Sequence, residues 1–276
     1  MNDTVYECYC EAGKIAARVR KEAVLKIKET IPLLDIAEYV EERIHELGGK
    51  PAFPCNISIN EIASHYTPEN RLLRFKKGDV VKLDIGVHIE GFIADTAITI
   101  EVGTCNHARL IQASEEALEK AIRCVKHKAN TKNIGCVIQE TIKKHGFNPL
   151  PYLTGHNLER YKLHAGVTLP NYNSFFSQKI RKDMVIAIEP FATRGKGNIK
   201  YGKAHIFALS SNNKGYQDIR NKFGTLPFAR RWVPGINPEN MKGVRKYPEL
   251  MEAEREVVVQ SEHTVIVDEN GCEVIT

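Results

Sequence analysis

An α+β fold follows from three features of this 276-residue chain: long amphipathic stretches that come in pairs, strand-length apolar runs grouped after each pair, and the recurrence of that order in both halves. The first helix is expected from about Asn2 to Lys28, where Ala12, Ile15, Ala16, Val19 and Ala23 recur at helical spacing. A second begins near Leu34 and stops at Gly48-Gly49, a double glycine suited to a left-handed cap. Short strands are expected around Ala52-Phe-Pro-Cys and Ile57-Ser-Ile-Asn, followed by a hairpin that carries Asp84 and Asp95. Helices then run from about Asn106 to Lys128 and from Lys132 to His145, the latter ended by Gly146. Strands return around His156 and over Val185 to Glu189. A last hairpin is expected from Val257 to Val267 and Glu273 to Ile275, turned by Asp268-Glu-Asn-Gly271. Such an order suggests two similar halves whose antiparallel strands join, with the helices outside. Between about 210 and 249 the pattern breaks into short helix starts separated by Pro and Gly, which reads as a small helical insertion in a single domain covering 1–276.

Composition sets the class. Hydrophobic residues make up 42% and charged residues 26%, ordinary for a globular protein, and the net charge of +5 is mildly basic, consistent with work near RNA. No apolar run approaches the length of a membrane span, and Met1-Asn-Asp-Thr-Val has no leader pattern, so a cytoplasmic protein is expected. Seven scattered cysteines exclude a disulfide framework and offer no pair of CxxC knuckles; Cys8 and Cys10 are expected to pack as small hydrophobes.

The informative stretch is Lys82-Leu-Asp-Ile-Gly86 with Gly91-Phe-Ile-Ala-Asp95. Each acid sits among apolar residues, where an unpaired charge costs several kcal/mol. A turn at Ile89-Glu90 puts Asp84 opposite Asp95, and a turn at Glu90-Gly91 makes them diagonal neighbours; both place them on one face within roughly 8 Å at Cβ. One buried acid with an Arg partner is the common alternative, but no Arg and no Lys beyond Lys82 lies in either strand.

Three further strand ends deliver polar groups: His156 in Leu-Thr-Gly-His-Asn, Glu189 just before Pro190, and Glu262 in Val-Val-Val-Gln-Ser-Glu-His. Singly, each has a structural explanation: a satisfied core histidine, a solvated strand end, a salt-bridged acid. Together, four acids and an imidazole in apolar settings call for metal. One divalent ion leaves the four carboxylates at −2 and two cancel them, so two ions are expected, with Mn, Fe, Co or Zn suited to this oxygen-rich set. A metal pair that activates a shared water performs hydrolysis. His164 lies eight residues beyond His156, about 26 Å along a straight strand, and reaches the same site only if the chain bends near Tyr161-Lys162. His65 sits in a polar turn, Ala-Ser-His-Tyr-Thr-Pro, where a surface imidazole is unremarkable.

At Ala52-Phe-Pro, Ser64-His-Tyr-Thr-Pro68, Lys82-Leu-Asp-Ile-Gly86, Ile93-Ala-Asp95, Thr154-Gly-His156, Lys162-Leu-His-Ala-Gly166, Ala187-Ile-Glu-Pro190, Phe223-Gly-Thr-Leu and Glu262-His-Thr, the chain resembles the type II methionine aminopeptidases, from about Gly13 onward. The resemblance implies the pita-bread (creatinase/aminopeptidase-like) fold, an antiparallel sheet with pseudo-two-fold symmetry and outer helices. It implies a dinuclear centre in which Asp84 chelates one ion, Asp95 and Glu262 bridge both, and His156 with Glu189 complete the other. It further implies that His65 and His164 hold the scissile peptide and stabilise its oxyanion, that Glu189 shuttles the proton, that the substrate α-amino group binds the second ion, and that Phe53, Leu163 and Tyr247 shape a methionine pocket. The implied substrates are the N-termini of nascent polypeptides with a small second residue; a monomer is the default expectation, with transient ribosome association as a further expected contact. With no long charged N-terminal extension, the chain resembles the compact archaeal form. Asn157-Leu-Glu-Arg160 and Pro227 depart from the family pattern at the rim of the pocket and leave the ligands untouched. Two rivals remain: Xaa-Pro peptidases of the same fold, which usually carry a separate N-terminal domain for which this chain has no room, and metal-free relatives that bind RNA, ribosomes or histones and typically lack several ligands.

Overall fold

The computed structural model describes residues 1–210 and 215–276. Helices α1 (Asp3–Val24) and α2 (Leu33–Glu46) open the chain, α3 (Ala108–Arg123) and α4 (Thr131–Lys144) open its second half, and a short α5 (Gln217–Phe223) follows later. The Asn2 side chain caps α1 by accepting from the Val5 N–H at 2.9 Å. Gly48 ends α2 at φ 88°, the left-handed cap expected from the glycine pair. No helix among the described residues is long and apolar enough to cross a membrane.

Each helix pair covers one group of strands. Ala12, Ile15, Ala16 and Val19 of α1 and Ile36, Val40 and Ile44 of α2 pack on Leu83, Ile85, Val87 and Ile93 of the hairpin Val80–Ile89/Phe92–Glu101. Leu110, Ala117 and Ala121 of α3 and Ile134, Ile138 and Ile142 of α4 pack on Ile186, Ile188 and Val265. The second group is a five-stranded antiparallel sheet ordered Cys272–Val274, His263–Val267, Val185–Ile188, Thr154–Leu158, Thr168–Pro170. The halves meet where Ala97 bridges Glu262, with Ala97 N–H donating to the Glu262 carbonyl and Glu262 N–H to the Ala97 carbonyl.

Two expected strands are placed differently, and one strand pair was not expected. Ala52-Phe-Pro-Cys is a loop between Lys50–Pro51 and Asn56–Ile59, because Pro54 has no N–H to give a ladder and Glu41 takes the N–H of Cys55. The run Val257 to Val267 is two strands. Val258–Gln260 pairs with Phe191–Thr193, the chain steps sideways at Ser261-Glu262, and only His263–Val267 pairs with Cys272–Val274. The long pair Ile199–Leu209/Val244–Glu252 is absent from the sequence expectation; its buried apolar run, 206–209, is only four residues long, and the rest of both strands is half-buried or exposed without clean alternation. Between them lie α5 and 3-10 turns at Arg230–Trp232 and Pro238–Asn240, matching the helix starts read between 210 and 249; residues 211–214 of that stretch lie outside the described residues.

Candidate metal centre

The hairpin sets the first two acids. Glu90 (φ 51°) and Gly91 (φ 90°) both take left-handed conformations, the two-residue turn that suits the twist of a hairpin. Gly86 therefore faces Asp95 and Ala97 faces Asp84, the diagonal arrangement. Asn56 lies across from Asp84 on the other side. His156 enters from Thr154–Leu158, paired to Ala187 two residues before Glu189. Glu262 enters at the sideways step between the two C-terminal strands.

These side chains share one narrow cavity of about 60 Å³. Its walls include every residue the sequence singled out: Phe53, His65, Asp84, Asp95, His156, Leu163, His164, Glu189, Tyr247 and Glu262. Asp95, His156 and Glu262 offer ligand atoms that lie within 4.8 Å of one another, and His156 Nε2 stands 3.6 Å from Glu189 Oε1 and 3.9 Å from Asp95 Oδ2. Asp84, Asp95 and Glu262 are all below 9% exposed.

Burial raises all four acids. Asp84 rises to about 7, while Asp95, Glu189 and Glu262 rise well above the carboxylate range through desolvation first and mutual repulsion second. Among the described residues no Lys or Arg forms an ion pair with any of them; the buried Lys82 Nζ, which desolvation holds below its ordinary basicity, instead donates to the Asn60 carbonyl at 2.7 Å. Asp84 Oδ1 and Asp95 Oδ1 are buried without a hydrogen-bond partner. A buried pocket of carboxylate oxygens with one imidazole and unused lone pairs fits divalent cations.

The bend expected near Tyr161 is present. Glu159 and Lys162 exchange backbone hydrogen bonds, Tyr161 sits at φ 57°, and the returning chain brings the His164 ring to 4.3 Å from the His156 ring. His65 is strained at φ 66°, and its Nδ1 lies 3.2 Å from the Pro248 carbonyl. Desolvation lowers both His65 and His164 to about 4, with Arg245 adding repulsion, so both imidazoles are neutral near pH 7. The Tyr247 ring meets His65 edge-on at 5.6 Å.

One functional-looking residue escaped the sequence reading. Gln260 is 1% exposed, and its Nε2 stands 3.3 Å from Glu262 Oε2 and 3.5 Å from Glu189 Oε2, an amide donor wedged between two acids. Its period-two spacing from Glu262 was the available signal.

Fold and site together define a metal-dependent peptidase of pita-bread architecture. The chain belongs to Metallopeptidase family M24, whose family model matches residues 7–269. Among its relatives is the methionine aminopeptidase of Methanocaldococcus jannaschii, 44% identical with 98% of each chain covered. The crystal structure of the methionine aminopeptidase from Thermotoga maritima superposes with a TM-score of 0.78 at 25% identity, covering 100% of this chain and 98% of that one. A thermophilic Arx1 shares the fold at a TM-score of 0.89 and 17% identity, covering 100% and 91%.

Proposed function

We propose that this protein removes the N-terminal methionine from nascent proteins and peptides whose second residue is small, using two divalent ions of Co, Mn, Fe or Zn. The observation that carries the reading is the convergence of three buried acids, the largely enclosed Glu189 and His156 in one cavity whose described lining includes no Lys or Arg. In this reading Asp84, Asp95, His156, Glu189 and Glu262 would hold the ions. Metal bound there would offset the charge of the four acids and supply water that is nucleophilic near neutral pH.

The chain's own groups do the rest. The Pro248 carbonyl can only accept, so His65 Nδ1 carries the proton and Nε2 offers a lone pair, suited to receive the scissile peptide N–H. His164, neutral and at the open side of the cavity, donates to the carbonyl oxygen as charge develops on it. Glu189 takes the proton from the attacking water and returns it to the leaving amine. Phe53, Leu163 and Tyr247 enclose the methionine side chain. The protein works as a monomer in the cytoplasm, as one catalytic domain over 1–276 with an insertion at 210–249, and touches the ribosome transiently.

The test is methionine release from Met-Ala-Ser by chelated protein given back each divalent metal in turn. The expected result is turnover restored by at least one metal at two equivalents per chain, with a Gly-Pro substrate left intact. Preference for Gly-Pro overturns the methionine assignment, and a protein that binds no metal and turns over neither substrate is a binding protein of this fold.

A further inference from the structure

A second and much larger cavity, about 750 Å³, opens between α2, the edge strand Lys50–Pro51 and the segment 220–232. Pro227 lines both cavities. Tyr161, on the wall of the larger one, stands two residues before Leu163 in the wall of the smaller, and the Thr225 hydroxyl donates to the Tyr161 carbonyl at 2.6 Å. Pro227 is thus where the two cavities adjoin, on a segment tied to Tyr161 by the Thr225 hydroxyl. We infer that the large cavity receives the substrate polypeptide beyond its second residue. This inference rests on the aminopeptidase reading above.

Size points the same way. The inner cavity, about 60 Å³, has room for little more than the terminal side chain, so the rest of a polypeptide lies outside it, and the large cavity adjoins it at Pro227. The outer cavity falls in the range that encloses a ligand of several residues.

Its chemistry suits a chain of any sequence. Glu38 and Glu42 line one wall, Lys50 and Lys222 line others, and the Trp232 ring stacks on Phe223 at 5.7 Å to give a flat apolar floor. A side chain of either charge finds a partner and an apolar one finds an aromatic face. A groove of one sign would discriminate among downstream sequences, which an enzyme confined to the first residues has no use for. The floor is also rigid before binding: Trp232 Nε1 donates to Glu41 at 2.8 Å, and Arg231 pairs with the same carboxylate.

Two exposed positions in its lining allow the large cavity to be filled without touching the metal centre, by Glu42→Trp from α2 and Asn221→Trp from α5. The substrates are Met-Ala-Ser and an octapeptide that begins Met-Ala-Ser. Wild type is expected to favour the octapeptide by about tenfold in kcat/KM, mainly through KM, and each variant to lose that excess while keeping the tripeptide rate within about twofold. In parallel, a dye-labelled heptapeptide beginning Ala-Ser is titrated into chelated protein, where each variant should bind about tenfold more weakly whether or not turnover is ever seen. No length preference in wild type, an equal fall for both substrates, or equal heptapeptide affinity in all three proteins overturns the inference. Failure of wild type to release methionine while the heptapeptide still distinguishes the variants overturns the catalytic reading and supports the groove.

Discussion

Asp84 and Asp95 meet as diagonal neighbours across their hairpin, because Gly86 and not Asp84 occupies the position opposite Asp95. The glycine is there for space. A Cβ on Gly86 would stand 2.2 Å from Phe53 Cε1, so the aromatic ring lies where any other residue would put its side chain. The register that aims two acids at one point therefore also seats a wall of the proposed methionine pocket.

Gly86→Ala tests this coupling. The new methyl has to displace the Phe53 ring, and overpacking of this kind costs about 1–3 kcal/mol. The expected outcome is a lower melting temperature with a KM for Met-Ala-Ser that rises more than kcat falls, since the acids themselves stay in register. Unchanged KM would show that Phe53 does not touch the substrate.

Much of this was legible because burial leaves a trace in the sequence. The helices α1 to α4 repeat their apolar residues on a face, and Asp84, Asp95, Glu189 and Glu262 stand out as acids in apolar runs. The register of the hairpin was not legible, since Ile89-Glu90 and Glu90-Gly91 are both admissible turns and only the backbone conformations at Glu90 and Gly91 decide between them. The sideways step at Ser261-Glu262 was hidden for a similar reason: Val258–Gln260 and His263–Val267 are both valine-rich although they belong to different sheets. His65 looked like a surface turn, and its role in the cavity wall depends on Pro248, far away in the chain.

Replacing one acid separates electrostatics from packing. Burial and the three neighbouring acids raise Glu262, so without metal it stands in a repulsive cluster. Glu262→Gln keeps the shape and removes one charge. The metal-free variant is expected to melt at or above the wild-type temperature, yet to lose the stabilisation that metal gives wild type, about 2.7 kcal/mol at a hundredfold excess over Kd. Methionine release should fall more than about 100-fold, beyond the loss typical of a residue that only orients a ligand. Calorimetry with and without metal checks both, and a variant destabilised in the metal-free state would contradict the repulsive picture.

Behind the acids, on the opposite face of the hairpin, Arg20 of α1 donates to the Thr96 hydroxyl, which donates in turn to the Glu262 carbonyl at 3.0 Å. Thr96 is fully buried. Thr96→Val keeps the volume, leaves the guanidinium without that acceptor and removes a donor from Glu262. A loss of about 1–3 kcal/mol is expected in denaturant unfolding, together with weaker metal retention on dialysis. Stability loss with metal retention unchanged would confine this chain of hydrogen bonds to holding the two halves together.

Away from the acids, His205 bridges Glu69 and Glu249 on the Ile199–Leu209 strand, with Nδ1 3.0 Å from Glu69 Oε1 and Nε2 2.9 Å from Glu249 Oε1. Only the imidazolium donates at both nitrogens. The hydrogen bond to Glu249 raises His205 above its ordinary value, burial opposes that rise, and Glu69 reinforces it. A basic group raised on folding contributes its stabilisation in full below the unfolded value of about 6.5 and loses it as pH climbs through the folded value. Wild-type stability should therefore decline as pH is raised above about 6.5, and His205→Gln should be flatter across that window. At pH 6 the variant is expected to be less stable by about 1–2 kcal/mol, the range for a hydrogen bond to a charged group with part of it exposed to solvent. Urea melts of both proteins at half-unit steps from pH 6 to 8.5 measure the difference, and parallel curves would place the titrating group elsewhere.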